Sequence, residues 1–337
     1  MIPNDIENIL DRMRGKRVLV VGDLILDHYL EGLVERISPE APVPIVSLES
    51  SEGRWVPGGA ANVARNISSL GGIPVMAGTA GEDREGRLLA ELLQAEHIDT
   101  RALVLDPRRP TTSKTRVMSG GHQLIRLDRE VTRPISQSLQ ESLLSRVEDM
   151  IGELDVMVLE DYNKGMLTPG LISSLIGLAS KNGVPVAVDP KFINFFEFTG
   201  CTLFKPNRLE TSRALGMDIR SVEDAAGAGD VLLRKLDARF VLITLGAQGS
   251  LLCRRDAEPF HRPAAAMHVF DVSGAGDTVI AVMALALAAG LPAEDGVRVS
   301  VFAAAATCAE PGVYAVRPED VLREVEHYSG RNGTGPD

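Results

Sequence analysis

The stretch Asp271-Val-Ser-Gly-Ala-Gly-Asp277 leads into an apolar run of helical length, residues 278–289. Its two glycines, Gly274 and Gly276, allow backbone conformations and close approaches that side chains would block. If the loop begins a helix, the free N–H groups and the helix dipole make it an anion site. Asp277 would repel phosphate there unless a metal or a proton compensates for its charge. A base that takes a hydroxyl proton while the loop steadies a transferring phosphoryl group resolves this conflict, so we predict that Asp277 is a catalytic base. The alternative is a helix N-cap, a position that Asp favours.

The same short string occurs a second time, in Ala226-Gly-Ala-Gly-Asp230. This copy follows Ser221-Val-Glu-Asp, a helix-start pattern, and no strand candidate precedes it. It continues into residues 231–235, which mix polar and apolar residues like a surface helix. The string is therefore weak evidence by itself, and its surroundings favour the copy that ends at Asp277.

Apolar runs of strand length alternate with amphipathic segments of helix length along the chain. The strand candidates are residues 17–22, 74–78, 155–159, 185–188 and 240–245, and the helix candidates are residues 60–70, 84–95, 137–151 and 169–181. This alternation predicts an α/β fold with a mostly parallel central sheet and helices on both faces. In such sheets, ligands bind beyond the carboxyl ends of the strands.

Two stretches interrupt this alternation. Residues 28–56 carry three prolines among short apolar runs, and residues 111–128 alternate polar and apolar residues around a Gly-Gly pair. We interpret them as a small two-stranded β-lid on one large domain, residues 1–328, and two ordinary surface excursions are the alternative. The tail, residues 329–337, is rich in Gly, Asn and Pro, and we expect it to be disordered.

A second glycine-rich site, Pro57-Gly58-Gly59-Ala-Ala-Asn62, stands before a helix candidate. Small residues at a helix start let a polyol approach the backbone, and the Asn62 amide can both donate and accept hydrogen bonds. Asp27, shortly after the first strand, adds a carboxylate that could accept from sugar hydroxyls, with Asp23 as a competitor. A tight turn that needs glycine is the alternative explanation.

Composition and missing motifs limit the other classes of function. The 337-residue chain has a net charge of −11, which argues against broad nucleic-acid binding. It contains no P-loop, HExxH, GxSxG, or GxGxxG after the first strand. The cysteines, Cys201, Cys253 and Cys308, fit no CxxC pattern, which favours a reducing compartment. Without a signal-peptide pattern or an apolar run long enough to span a bilayer, we expect a cytoplasmic protein with no membrane partner.

The glycine motif at residues 58–62 and the DxxGAGD motif at residues 271–277 resemble the two signatures of the ribokinase-like (PfkB) carbohydrate kinase family. The resemblance covers about residues 15–325. It implies a ribokinase-like fold, ATP and Mg²⁺ as cofactors, a monovalent cation as an optional further cofactor, and a sugar as acceptor, with Asp277 as the base. The implied anion hole is Gly274, Ala275 and Gly276, and the implied sugar-binding residues are Asp27, Gly58, Gly59 and Asn62.

The same resemblance implies a nucleotide site in the second half of the chain. Lys205-Pro-Asn207-Arg-Leu-Glu210 matches the family's NxxE motif, whose Asn and Glu organise the Mg²⁺-phosphate region, the Glu acting on the metal indirectly. Thr244-Leu-Gly246-Ala-Gln-Gly249 matches the segment that lines the nucleotide, and Gly312 falls where the adenine pocket closes. The chain departs from the family in Phe302-Ala-Ala-Ala-Ala306, where members often carry an Asn, and this argues against a direct adenine contact from this turn.

Four strings resemble one branch of the family more narrowly, the D-glycero-β-D-manno-heptose-7-phosphate kinases of bacterial ADP-heptose synthesis. They are residues 36–44, 57–64, 123–128 and 161–165. The first, Arg36-Ile-Ser-Pro-Glu-Ala-Pro-Val-Pro44, lies in the predicted lid, where substrate identity should be encoded. The resemblance implies phosphorylation of the anomeric hydroxyl to the 1,7-bisphosphate by a stand-alone kinase, with adenylyl transfer done elsewhere.

A phosphorylated sugar also needs cations for its distal phosphate. The candidates are Arg116, Arg126, Lys164 and Lys191, each with plain surface solvation as the alternative. Another family kinase acting on ribose or fructose, or a non-catalytic sugar- or nucleotide-binding protein of the same fold, remains an alternative function. Because a lid sheet exposes edges and apolar surface, we expect a homodimer that forms through the lid.

Overall fold

The computed structural model describes residues 3–48, 53–266 and 269–332. The strands, in chain order, are β1 (Arg17–Gly22), β2 (Leu24–Ile37), β3 (Pro44–Leu48), β4 (Arg54–Gly59), β5 (Ile73–Gly81), β6 (Asp99–Asp106), β7 (Ser113–Ser119), β8 (His122–Arg129), β9 (Val156–Glu160), β10 (Val186–Asp189), β11 (Leu203–Phe204), β12 (Phe240–Thr244), β13 (Ser250–Arg254) and β14 (Phe260–Arg262). The α-helices are α1 (Pro3–Met13), α2 (Ala60–Ser69), α3 (Arg84–Ala95), α4 (Gln137–Met150), α5 (Pro169–Lys181), α6 (Arg208–Leu215), α7 (Val222–Leu236), α8 (Ala275–Ala288), α9 (Ala293–Cys308) and α10 (Pro318–Asn332).

The large sheet has nine strands within the described residues, in the order β14-β13-β12-β11-β10-β9-β1-β5-β6. The seven strands from β12 to β6 run parallel, and β13 and β14 are antiparallel to their neighbours. Strand residues alternate between two apolar cores: Val18 and Val20 pack with α2, α8 and α9, while Leu19 and Val21 pack with α4, α5 and α7. Both faces are therefore covered by helices, which confirms the predicted fold class.

The boundaries of the predicted elements agree with this structure to within a few residues. Strand β1 and helices α3 and α5 have the bounds that the sequence predicts. Helix α8 begins at Ala275, three residues before the predicted apolar run, because its N-cap Gly274 turns the chain with a φ of 81°. The second GAGD string lies inside α7, whose capping box begins at Ser221, as the helix-start pattern predicts.

The lid is larger than expected, and the prediction of a two-stranded lid was wrong. Within the described residues a second sheet has five strands, in the order β3-β2-β7-β8 with β4 also paired to β2. Strand β2 begins at Leu24, before the predicted lid segment, and its buried first half runs through the main domain. Strand β4 ends at Gly59, directly before α2. The lid therefore joins the main domain through β2 and β4. Residues 49–52 of this segment lie outside the described residues.

Two terminal helices complete the described chain. The amphipathic α1, which the sequence analysis does not predict, buries Ile6, Leu10 and Met13 in the core beside α8 and α9. Helix α10 extends to Asn332, four residues into the segment expected to be disordered, and residues 333–337 lie outside the described part. No helix in the described ranges has both the length and the apolar character needed to cross a bilayer.

Candidate active site

The Asp277 carboxylate lies at the start of α8 and is 6% exposed. Two side chains from different parts of the chain donate hydrogen bonds to it. Asn62 Nδ2 reaches one oxygen at 2.7 Å, and the Tyr162 hydroxyl reaches the other at 2.8 Å. Each carboxylate oxygen thus accepts one hydrogen bond and keeps capacity for another, as a base that receives a substrate proton requires.

The loop before α8 is shaped by Asp271 and Gly274. Asp271 accepts from the backbone N–H groups of Ser273 (2.9 Å) and Gly312 (3.1 Å), which ties the loop to the chain after α9. A Cβ on Gly274 would lie 2.9 Å from Asn62 Nδ2, so a side chain here would disturb the amide that donates to Asp277. The first N–H groups of α8 have no intrahelical acceptor, although the Ala275 N–H donates to the Val272 oxygen at 3.3 Å, and the anion hole at residues 274–276 stays a prediction.

Charged side chains gather at the carboxyl ends of the parallel strands, next to this loop. Glu160 ends β9, Asp189 ends β10, and Lys205 follows β11. Lys205 Nζ pairs with Asp189 Oδ2 at 2.8 Å, and a Cβ on Gly276 would lie 3.6 Å from the same ammonium group. A cation is therefore fixed beside the start of α8.

Burial raises the pKa of Asp277 to about 6. The hydrogen bond from Asn62 lowers this pKa, and the negative charge of Asp189 raises it. The hydrogen bond from Tyr162 and the positive charge of Lys205 also lower it. Burial and the charges of Asp189 and Asp277 raise the pKa of Glu160 well above its ordinary value. With a pKa of about 6, the Asp277 carboxylate is mostly ionised at neutral pH, as a general base must be.

Tyr162 is a site residue that the sequence analysis did not identify. Its loop is held by Asp23, whose carboxylate accepts from the backbone N–H groups of Tyr162 (2.8 Å), Lys164 (3.0 Å) and Met166 (3.0 Å). Asp23 is thus engaged in shaping this loop, which leaves Asp27 as the carboxylate that faces the lid. The only sequence signal was that Tyr162 lies in one of the strings that resemble heptose 7-phosphate kinases, since 115 residues separate it from Asp277.

The predicted sugar-binding residues lie together. Asp27 on β2 pairs across the sheet with Val56, two residues before Gly58, and a Cβ on Gly58 would lie 2.1 Å from Asp27 Oδ2. Gly59, with a φ of 60°, is the N-cap of α2, which carries Asn62. Arg116 on β7 forms an ion pair with Asp27. Backbone, carboxylate and amide groups of the kinds that bind a polyol are therefore connected to Asp277 through Asn62, which donates to it.

A cavity of about 1060 Å³ has Asp277 in its lining. The predicted nucleotide residues Asn207, Thr244, Gly246 and Gly249 line it together with Lys191, Lys205 and residues 274–277. Its apolar part is formed by Ala265, Val269, Val272, Val301, Ala304, Ala305 and Cys308, among others. The described lining does not include Gly312, which lies beside Tyr29 of the lid instead. One polar end next to the base and one apolar end suit a nucleoside triphosphate.

The remaining predicted cations are distributed over three places. Lys191 pairs with Glu210 at 2.8 Å inside the cavity, so it lies on the nucleotide side of Asp277. Lys164 pairs with Glu130 at 2.8 Å, and Arg126 pairs with Asp128 at the surface of the lid. Of the four candidates for binding a distal phosphate, Arg116 is the one that contacts a predicted sugar-binding residue, Asp27.

The residues present fit the Mg²⁺ that a kinase of this type implies. Carboxylate oxygens of Glu160, Asp189 and Asp277 lie within 4.8 Å of one another. Both Glu160 oxygens are buried and have no hydrogen-bond partner among the described residues. Such oxygens are the ligands that Mg²⁺ prefers. Glu210 is engaged by Lys191 and by the Asn207 N–H, and its indirect role on the metal stays a prediction.

Comparison with known proteins places the chain among carbohydrate kinases. The family described as "pfkB family carbohydrate kinase" matches residues 16–320. Curated relatives include the "Bifunctional protein HldE" of Pelobacter propionicus, 39% identical over 95% of this chain and 65% of the relative. The protein of the same name from Caulobacter sp. is 43% identical over 91% of this chain and 62% of the relative. The chain thus spans somewhat less than two thirds of the length of these relatives.

Solved structures with a similar fold are also kinases. Phosphofructokinase-2 from Escherichia coli in complex with fructose-6-phosphate matches with a TM-score of 0.73 and 23% identity, covering 94% of this chain and 99% of that one. Ribokinase from Arabidopsis thaliana, complexed with ribose and ATP, matches with a TM-score of 0.72 and 22% identity, covering 93% and 99%. At this identity the likeness concerns the fold.

The pKa of Asp277 predicts the acid limb of the pH–rate profile. Because the base acts in its deprotonated form, kcat/KM should fall as the pH drops below about 6. Tyr162→Phe removes a hydrogen bond that lowers this pKa, so the limb should move to higher pH. The measurement is kcat/KM between about pH 5 and about pH 9. Tyr314→Phe, which removes a hydroxyl that donates to Asp320 and not to Asp277, is the control. An unchanged limb in Tyr162→Phe would contradict the assignment.

Proposed function

Since the chain belongs to the pfkB family of carbohydrate kinases, we propose that it transfers the γ-phosphoryl group of ATP to the anomeric hydroxyl of D-glycero-β-D-manno-heptose 7-phosphate. The observation that carries this proposal is the buried Asp277 carboxylate between a cavity suited to a nucleotide and a wall suited to a polyol. The choice of sugar rests on the four strings that resemble heptose 7-phosphate kinases, and on the curated HldE relatives.

The nucleotide lies in the cavity with its base toward the apolar end. The triphosphate then extends to Lys205, Lys191 and the first N–H groups of α8. Mg²⁺, when bound, neutralises phosphate charge, and Glu160 and Asp189 would hold it, with Glu210 acting through its neighbours. Lys205 and the α8 amides stabilise the charge that develops on the transferring group.

The sugar lies between Asp27 and Asp277 with its anomeric hydroxyl toward Asp277. Asp27, Gly58 and Asn62 orient the ring hydroxyls. As the oxygen attacks the γ-phosphorus in line, its proton moves to the Asp277 carboxylate oxygen. Asn62 and Tyr162 keep that carboxylate in place, and the lid excludes water that would otherwise hydrolyse ATP.

Asp277→Asn tests the base directly. An amide cannot accept the proton, so kcat should fall by roughly 100- to 10,000-fold while the dissociation constant for ATP changes little. Asp230→Asn alters the same Gly-Ala-Gly-Asp string in α7, where the side chain is exposed, and is the matched control. Calorimetry gives ATP affinity and coupled ADP detection gives kcat. Near-normal kcat in Asp277→Asn would overturn the assignment.

The substrate is tested by ADP release with synthetic β- and α-heptose 7-phosphate, ribose, fructose and fructose 6-phosphate. The proposal expects the β-heptose 7-phosphate to be used with the highest kcat/KM and the unphosphorylated sugars to be nearly inert. Preference for ribose or fructose would show another kinase of the family. Binding of sugar and ATP without ADP release would show a non-catalytic binding protein.

Assembly through the lid is part of the proposal. Exposed apolar side chains are concentrated on the lid strands, namely Leu33, Val34, Ile37, Leu48, Leu124, Ile125 and Leu127. Surface of this kind is typical of contacts between subunits. We expect a dimer in sedimentation velocity, and Ile125→Lys with Leu127→Lys should shift it to monomer. Leu105→Lys, an exposed position on β6 outside the lid, should not. A monomeric unmodified protein would contradict the proposal.

A further inference from the structure

Four lid strands place a row of cationic side chains on one face of the sheet. Tyr29 on β2 is the register partner of Arg54 on β4 and of Arg116 on β7. Arg116 is in turn the register partner of Arg126 on β8. Side chains of directly paired residues project from the same face. Three arginines and one tyrosine therefore form a continuous row across the lid.

The Tyr29 ring brings two of these guanidinium groups close together. The Arg54 guanidinium carbon lies 4.6 Å from the ring centroid, and that of Arg116 lies 5.2 Å from it. Cations stack favourably on an aromatic ring, but two of them on one ring repel each other. An anion bound between them would remove this repulsion.

The charges in the row are unequally compensated. Arg116 pairs with Asp27, and Arg126 pairs with Asp128. Arg54 has no carboxylate partner within ion-pair distance in the described part of the chain. By contrast, Lys164 and Lys191 are each engaged at 2.8 Å by a glutamate. The row thus holds a guanidinium group that is free to bind an anion, next to a second one that is held in position.

The position of the row relates it to the base. Asp27, which holds Arg116, lies against Gly58 on the polyol side of the site. On the other side, a Cβ on Gly312 would lie 3.2 Å from the Tyr29 hydroxyl and 3.7 Å from an Arg54 nitrogen. Gly312 is hydrogen-bonded to Asp271 of the anion-hole loop. A sugar that extends from Asp277 to Asp27 therefore directs its far end at this row.

We propose that Arg54 and Arg116, stacked on Tyr29, bind the phosphate ester at the far end of the acceptor sugar, with Arg126 as an outer cation. Guanidinium groups match the geometry of a phosphate monoester through paired hydrogen bonds. Asp27 keeps Arg116 oriented and contacts the sugar hydroxyls. The inference rests on the proposed sugar-kinase function and identifies the part of the site that selects a phosphorylated acceptor.

The test is Arg54→Gln, assayed with β-heptose 7-phosphate and with the same heptose without phosphate. For the phosphorylated sugar, kcat/KM should fall roughly 10- to 100-fold, because a charge-assisted contact is lost. The value for the unphosphorylated sugar and the KM for ATP should not change. Arg54→Lys, which keeps the charge and loses the paired geometry, should give an intermediate loss.

Arg234→Gln is the control, since Arg234 is an exposed arginine on α7, which packs against β12 and β13 and not against the lid. It should leave all constants unchanged. Equal losses for both sugars in Arg54→Gln would indicate a structural role and overturn the proposal. An unchanged preference for the phosphorylated sugar would overturn it too.

A binding measurement separates this inference from the proposed kinase function. Calorimetry with heptose 7-phosphate and no ATP should show weaker binding to Arg54→Gln than to the unmodified protein. If that holds without any turnover, the kinase proposal fails and the phosphate site stands. If only unphosphorylated sugars are phosphorylated, or heptose 7-phosphate does not bind, the phosphate site fails, whatever the kinase activity.

Discussion

Two hydrogen bonds to one buried carboxylate, from Asn62 and from Tyr162 to Asp277, hold the site together. A buried charge is stable only when polar groups compensate for its lost hydration. Here the compensation comes from α2 and from the loop after β9, so three distant segments must meet at one point. Asn62 is itself held by Asn66, whose side-chain amide donates to its backbone oxygen at 2.9 Å. Displacing any one of these segments would expose or reorient the base.

Much of the fold and part of the site could be predicted from the sequence. Continuous apolar strands alternating with amphipathic helices specify a covered parallel sheet, and this is confirmed by the nine-stranded sheet with helices on both faces. The predicted family and its class of enzyme, carbohydrate kinases, are also confirmed. The role of residues 271–277 could be predicted locally, because a positive-φ glycine, a helix start and an acid are close together in the chain. Those features require no knowledge of distant contacts.

The rest depends on contacts between residues that are far apart in sequence. Tyr162 reaches Asp277 only because Asp23 gathers three N–H groups of its loop, a contact across about 140 residues. Arg54 joins Arg116 only through the register of β4, β2 and β7, which a sequence pattern does not specify. Helix α1 was not predicted because most of its residues are polar or charged, although its apolar residues share one face. The five-stranded lid likewise depends on which strands pair, and the alternation of polar and apolar residues does not specify this.

The central claim is that Asp277 accepts the proton of the sugar hydroxyl that attacks ATP. The most direct measurement is a crystal structure with heptose 7-phosphate and a non-hydrolysable ATP analogue. It should place the anomeric oxygen about 2.6–3.2 Å from an Asp277 carboxylate oxygen, the distance at which a general base acts. An anomeric oxygen that lies against Asp27 or Glu160, with Asp277 bonded only to Asn62 and Tyr162, would contradict the claim.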